Sequence, residues 1–202
     1  MSFIKNIWTK LWKPSKLSLG VLLGGGLLAG AFGIMFFNFV MMEGSSSLEF
    51  CATSCHEMSL PYKEYKESAH YSNPSGVRAT CADCHVPHMY SFGSWFDKVQ
   101  AKMMAALEIY HWIVGTYDTH EKYEAGRWKM ANSVWDKMKE RDSAECKYCH
   151  DFEAMKLEEQ DRSAKKKHAR AMKEGLTCIE CHQGLVHEEP DEPEEPEENE
   201  KS

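Results

Sequence analysis

Eight cysteines fall in four pairs, Cys51 and Cys55, Cys81 and Cys84, Cys146 and Cys149, Cys178 and Cys181, and a histidine follows each pair directly: His56, His85, His150 and His182. No cysteine is left over. Three of the four read C-x-x-C-H, a spacing that brings two thiols and an imidazole to one porphyrin edge. The thiols add to the vinyl groups as thioethers, and the imidazole binds iron from one face. Disulfide frameworks, zinc sites and thioredoxin-like redox pairs also use paired cysteines, but none of them requires the trailing histidine. Four covalently bound haem c groups are therefore expected. The first motif, Cys51-Ala52-Thr53-Ser54-Cys55-His56, has three residues between its thiols. A bulged loop can absorb the extra residue; the alternative for this pair is a disulfide.

A low-spin haem needs a second axial ligand, and six histidines lie outside the motifs: His70, His88, His111, His120, His168 and His187. His70 and His168 each stand about ten residues ahead of an attachment motif, whereas His88 and His187 follow motifs closely. The demand for ligands makes these histidines candidates, His70 and His168 in particular.

The elements that must carry these groups are mainly α-helical. Residues 92–113 and 120–141 place apolar and aromatic side chains at helical intervals, with Trp128 and Trp135 seven apart. A third helix is expected over residues 152–173, highly charged and solvated, and strands have no convincing signal. The fold class is thus mainly α: one N-terminal transmembrane helix, then a small helical multihaem domain with little or no strand, whose core is formed largely by the porphyrins.

Residues 17–42 carry no formal charge, and roughly 20 apolar residues suffice to cross a bilayer core. A cleaved signal would end near Ala29-Gly30-Ala31, but the apolar run continues through Phe32, Ile34, Met35, Phe36, Phe37, Phe39 and Val40 and reads as an uncleaved anchor. Lys5, Lys10, Lys13 and Lys16 precede it without an acid, which puts residues 1–16 in the cytoplasm and everything after Met42 outside. Trp8 and Trp12 suit the interface, and the glycines at 20, 24, 25, 26 and 30 permit close approach of a second helix, hence a homodimer. The expected organisation is a basic N-terminus (1–16), an anchor (17–42), a tetrahaem domain (43–187) and a disordered acidic tail (188–202). The tail holds nine acids and one lysine, so nearly all of the net charge of -7 resides there. A body close to neutral offers no basic footprint for nucleic acid.

The stretch Phe50 to Met58, the run Cys81-Ala82-Asp83-Cys84-His85-Val86-Pro87-His88 and the run Glu108-Ile109-Tyr110-His111-Trp112-Ile113-Val114-Gly115-Thr116, behind a single anchor, resemble the NapC/NirT family of membrane-anchored tetrahaem quinol dehydrogenases. The resemblance covers nearly the whole chain. It implies that the first haem lies near the membrane and meets quinol, menaquinol or ubiquinol. Its axial ligand would be Met58 at the family's C-H-x-M position, with His56 as the competitor. The resemblance also supports His70, His88, His168 and His187 as distal ligands, and places Lys102 and Glu108 beside the first haem. Glu108 would accept quinol protons, and Lys102 would orient a quinol oxygen or stabilise a developing anion.

The function so implied is oxidation of quinol from the membrane pool and one-at-a-time delivery of electrons to a periplasmic terminal reductase or its cytochrome subunit, with nitrate or nitrite respiration favoured. The location would be the inner membrane of a Gram-negative-type bacterium. Two alternatives use the same scaffold. One runs in reverse as a quinone reductase fed by a periplasmic oxidation such as that of hydroxylamine; the other is a haem-relay anchor without a quinol site.

Overall fold

The computed structural model describes residues 6, 19–89 and 91–193, with the side chains of His56 and Phe92 outside that description. Trp8, Trp12 and the four lysines ahead of the anchor lie outside the described residues, as does the tail beyond Pro193. The chain divides into two units, Met1–Glu43 and Gly44–Ser202.

The first unit is helix α1, Leu19–Phe36, which widens into a π-helical stretch over Phe37–Glu43. Its apolar side chains point outward all round, Leu27, Leu28 and Phe39 among them. A helix apolar on every side needs an apolar surrounding. Helix from Gly20 to Ser46 is long and apolar enough to cross a membrane, at 27 residues and mean hydropathy 2.0. Asn38 Nδ2 donates to the Ile34 carbonyl at 2.9 Å, so the one amide side chain of this stretch is satisfied within its own helix.

The second unit is a set of short helices at the cysteine motifs joined by two long ones. A 3-10 turn (Gly44–Ser46) leads into α2 (Leu48–Thr53), a second 3-10 turn (His56–Met58) and α3 (Ser59–Glu67). After an open stretch come α4 (Cys81–His85), α5 (Phe92–Val114) and α6 (His120–Glu140). The chain ends with α7 (Ala144–Lys147), a 3-10 turn (Leu157–Glu159), α8 (Arg162–Glu174) and a last 3-10 turn (Cys178–Glu180). No strand occurs among the described residues.

Local chemistry fixes the boundaries. Ser91 Oγ accepts from Ser94 N at the start of α5, and Gly115 ends the helix in the left-handed conformation at φ 66°. Thr119 caps α6 through Lys122 N. The third expected helix is shorter than its charge pattern suggests. Residues 152–161 form turns and a 3-10 segment, because Asp161 Oδ1 accepts from Ser163 N (2.8 Å) and Ala164 N (3.0 Å) and starts α8 only at Arg162. A side chain that bonds the backbone in a non-helical conformation begins a helix where it stands.

Very little protein packs on protein. The accessible surface is 16065 Å², against about 9,700 Å² for a compact chain of this mass. In the second unit the buried apolar residues among those described are Pro61, Tyr65, Pro87, Trp135 and Ile179. Part of the excess area is the exposed span, and these few residues make only a small core of protein side chains.

Ser143 is one of the few internal pins. It is fully buried and sits at φ 49°, following Asp142 at φ 53°, a left-handed pair of non-glycine residues that only a determined surrounding holds. Its Oγ accepts from Ile179 N at 3.2 Å, tying the end of α6 to the last cysteine motif. Ser143→Ala strands a buried backbone N–H and is expected to cost ~1–3 kcal/mol, read as a lowered thermal midpoint.

A candidate multihaem site

The four motifs are set on helix starts and turns. Thr80 and Asp83 form a reciprocal cap at the start of α4, so Cys81, Cys84 and His85 occupy one short helix. Thr177 and Glu180 do the same for Cys178. Cys146 and Cys149 straddle the end of α7, and Cys51 and Cys55 straddle the end of α2. Each of the eight cysteines is a free thiol, the state that forms thioethers.

Thiols of successive motifs meet. The Cys81 thiol donates to that of Cys51, which lowers the Cys51 pKa to about 7 against the opposing effect of burial, with Lys102 lowering it further; Cys81 is raised in return. Cys146 is raised to about 11 by burial, then by Cys178 and Cys84 close by. Cys84 feels Cys149 as well. The four attachment sites therefore follow one another in sequence order, first beside second, second beside third, third beside fourth.

The motif histidines find partners of their own kind. His70 and His150 have ring centroids 6.3 Å apart, His85 and His187 6.2 Å, and His168 and His182 5.9 Å. An iron bound at ~2 Å by the nitrogens of two opposed imidazoles holds their centroids ~6 Å apart. Direct imidazole stacking would need far less. No group of three or more His, Cys, Asp or Glu side chains is arranged for a bare metal ion among the described residues. The residues present therefore fit haem iron with two axial imidazoles.

Desolvation lowers the pKa of the His85 imidazole to about 4, with His187 adding to the effect, although the residue is exposed at the surface. Desolvation likewise lowers His70 and His187. A neutral imidazole keeps the lone pair that a metal needs.

Two expected ligands stand elsewhere. The His88 ring stacks on Tyr148 at 3.8 Å and 15°, with Nε2 3.2 Å from the Asp83 carbonyl. Met58 ends the 3-10 turn after Cys55 and is half-buried, while the side chain of His56 lies outside the described residues.

The first motif carries the further candidates. Lys102 Nζ donates to the Ser45 carbonyl (2.7 Å) and hydroxyl (3.0 Å), and the Cys51 sulfur lies 4.0 Å from that same carbonyl. This joins α5 to the start of the domain at the first attachment site. Glu108 is exposed six residues further along α5, turned roughly 240° from Lys102 at ~100° per residue, so the two do not share a face. A cavity of about 850 Å³ lies beside the first motif, lined by Ser54 between the two thiols and by Trp112, Ile113, Val114, Gly115 and Asp118.

One network had no sequence signal. Arg127 on α6, almost fully buried, donates to Glu64 Oε1 on α3 (2.7 Å), to Glu124 Oε1 (2.7 Å) and Oε2 (2.8 Å), and to the Glu188 carbonyl (3.2 Å). Glu64 Oε2 accepts from Glu188 N at 3.2 Å and faces His187 Nδ1 at 3.4 Å. Glu64 and Arg127 are 63 positions apart, and only the fold brings them together.

Comparison with known proteins agrees with these features. Residues 12–192 match the NapC/NirT cytochrome c family, N-terminal region. The chain is 48% identical over 179 residues to a tetraheme cytochrome-c type protein of Allochromatium vinosum, covering 87% of this chain and 90% of the relative. It is 46% identical over 190 residues to the cytochrome c-type protein NapC of Escherichia coli, covering 93% and 91%. It is 43% identical over 188 residues to the denitrification system component NirT of Stutzerimonas stutzeri, covering 92% and 90%. No solved structure matches the chain. Four haem-attachment motifs, three opposed histidine pairs and a match over nearly the whole length lead to one conclusion: the chain belongs to the NapC/NirT cytochrome c family.

Proposed function

We propose that this tetrahaem cytochrome oxidises quinol at the membrane surface and delivers the electrons to a periplasmic reductase of the nitrogen-oxide type. The haems, when bound, supply one-electron transfer between a two-electron donor and the acceptor. His70 with His150, His85 with His187, and His168 with His182 would hold three of the irons, and the first attachment site would take Met58 or His56. The abutting thiols Cys51 and Cys81, then Cys84 and Cys146, then Cys146 and Cys178 favour an order of transfer that follows the sequence. The N-terminus would lie in the cytoplasm and the haem domain in the periplasm.

The observation that carries the quinol reading is the seat of Lys102. Its ammonium is bonded to Ser45, within the last turn of the apolar stretch Gly20–Ser46, and acts electrostatically on Cys51 of the first motif. A cation beside the first attachment site can hold a quinol oxygen as it loses its proton. A carboxylate must accept the quinol protons. The family resemblance assigns this to Glu108, which stands exposed on a different face of α5 from Lys102 and would receive them through solvent rather than directly at Lys102.

Glu108→Gln is expected to slow haem reduction by a quinol analogue by about 10²-fold or more, the usual worth of a general base, without loss of haem. Stopped-flow absorbance checks this. An unchanged rate removes the assignment, and slowing by Asp118→Asn instead would move proton acceptance to Asp118, which lines the cavity beside Ser54. The relatives named NapC and NirT favour a nitrogen-oxide reductase as acceptor.

A further inference from the structure

The three distal imidazoles differ in what stands behind them. His187 Nδ1 is buried and makes no hydrogen bond, but the Glu64 carboxylate stands 3.4 Å away. His168 Nδ1 lies 2.7 Å from the side-chain oxygen of Gln160, a neutral amide. His70 Nδ1 is buried with no hydrogen-bond partner. An axial imidazole is tuned by its outer nitrogen. A carboxylate beside that nitrogen places negative charge against the ring even without a formed hydrogen bond. Added negative charge on a ligand favours the ferric state and lowers the reduction potential.

We infer that Glu64 positions His187 and makes the haem attached through Cys81 and Cys84 the lowest-potential of the three bis-imidazole haems. This rests on the proposed pairing of His85 with His187. Glu64 is itself held by the Arg127 guanidinium on one oxygen and by Glu188 N on the other, so its carboxylate cannot swing away. Arg127 damps the carboxylate's charge but leaves its second oxygen facing the ring. Its own bonds to Glu124 and to the Glu188 carbonyl share its positive charge. The gradation from carboxylate to amide to nothing orders the three potentials as His187 lowest, His168 next and His70 highest.

Through His187, Glu64 would set a high step between the quinol side and the acceptor side when haem is bound through Cys81 and Cys84, without touching quinol or acceptor.

The test is a potentiometric titration, monitored by electron paramagnetic resonance, of the full-length haem-loaded protein in detergent. His187→Ala identifies the haem in question by the bis-imidazole signal it removes. In the unsubstituted protein that signal should titrate at the lowest potential of the three. In Glu64→Gln its ratio of reduced to oxidised haem at fixed ambient potential should rise about tenfold, ~59 mV for a one-electron couple, while the other signals hold still. Glu64→Asp, which keeps the charge, should move it much less. A titration in which that haem is not the lowest of the three, or a loaded Glu64→Gln protein with its potential unchanged, overturns the inference. The ranking in the unsubstituted protein decides the matter even if Glu64→Gln fails to assemble. If His187→Ala leaves all three bis-imidazole signals intact, the axial pairing itself is wrong, which is a separate failure.

Discussion

His168→Ala is expected to remove one of three bis-imidazole haem signals and to cut electron delivery to the acceptor by at least ~100-fold. The size follows from position. Disturbing groups that merely support a metal ligand costs ~10–100-fold, and His168 is proposed as the ligand itself. Its ring lies 5.9 Å from that of His182, the histidine of the last motif, and Gln160 fixes its orientation at 2.7 Å. Reduction of the other haems by quinol should continue, because the lost site is last in the order. Paramagnetic resonance on the haem-loaded protein counts the signals, and stopped-flow oxidation by an acceptor gives the rate. Full retention of three bis-imidazole signals would contradict the assignment.

Arg127→Met should have the largest effect on stability. The Arg127 side chain is 8% exposed and its partner Glu64 14%, so removing the cation leaves a buried carboxylate without its main counter-charge. Breaking such a pair from one side costs ~3–5 kcal/mol, or roughly 10 °C in thermal midpoint for a protein of this size. Glu124, at 40% exposure, keeps its solvent and contributes little of that cost. The contrast is Lys122 with Asp118, 2.6 Å apart but at 52% and 40% exposure; Lys122→Met should change the midpoint hardly at all, within ~0.5 kcal/mol. Replacing Glu64 and Arg127 together with apolar residues should recover much of the loss, since the charge left behind causes the damage rather than the missing pair. Circular dichroism melts of the haem-loaded variants separate these cases.

The cofactor was legible in the sequence because its chemistry is local. Two thiols and an imidazole must reach one porphyrin edge, so they crowd within six residues, and four such clusters could not be mistaken for zinc or redox pairs. The two long helices were legible for the same reason, their apolar positions recurring within a few turns and their caps lying in the chain itself. The charged stretch before α8 was not, since Asp161 starts the helix and nothing in a run of charges marks that position as the cap.

Axial partnership is a property of the fold instead. His70 meets His150 from 80 positions away and His85 meets His187 from 102, distances over which spacing says nothing. His88 had the same claim by proximity to its motif, and its ring stacks on Tyr148. Lys102 and Glu108 lie on one helix in sequence, but the helical turn between them sends them to different faces, and only Lys102 reaches the first motif. Glu64, Arg127 and Ser143 left no sequence trace, since a buried ion pair and a backbone pin look like ordinary surface residues until the chain has folded.

Quinol is the proposed source of the electrons that enter this protein. The most direct measurement is stopped-flow absorbance of the full-length, oxidised, haem-loaded protein in detergent, mixed anaerobically with a reduced quinol analogue. Reduction of all four haems, slowed in Glu108→Gln with haem content unchanged, is the predicted result. Haems that stay oxidised in the unsubstituted protein, while dithionite reduces them fully, would contradict it and leave the chain a membrane-bound relay.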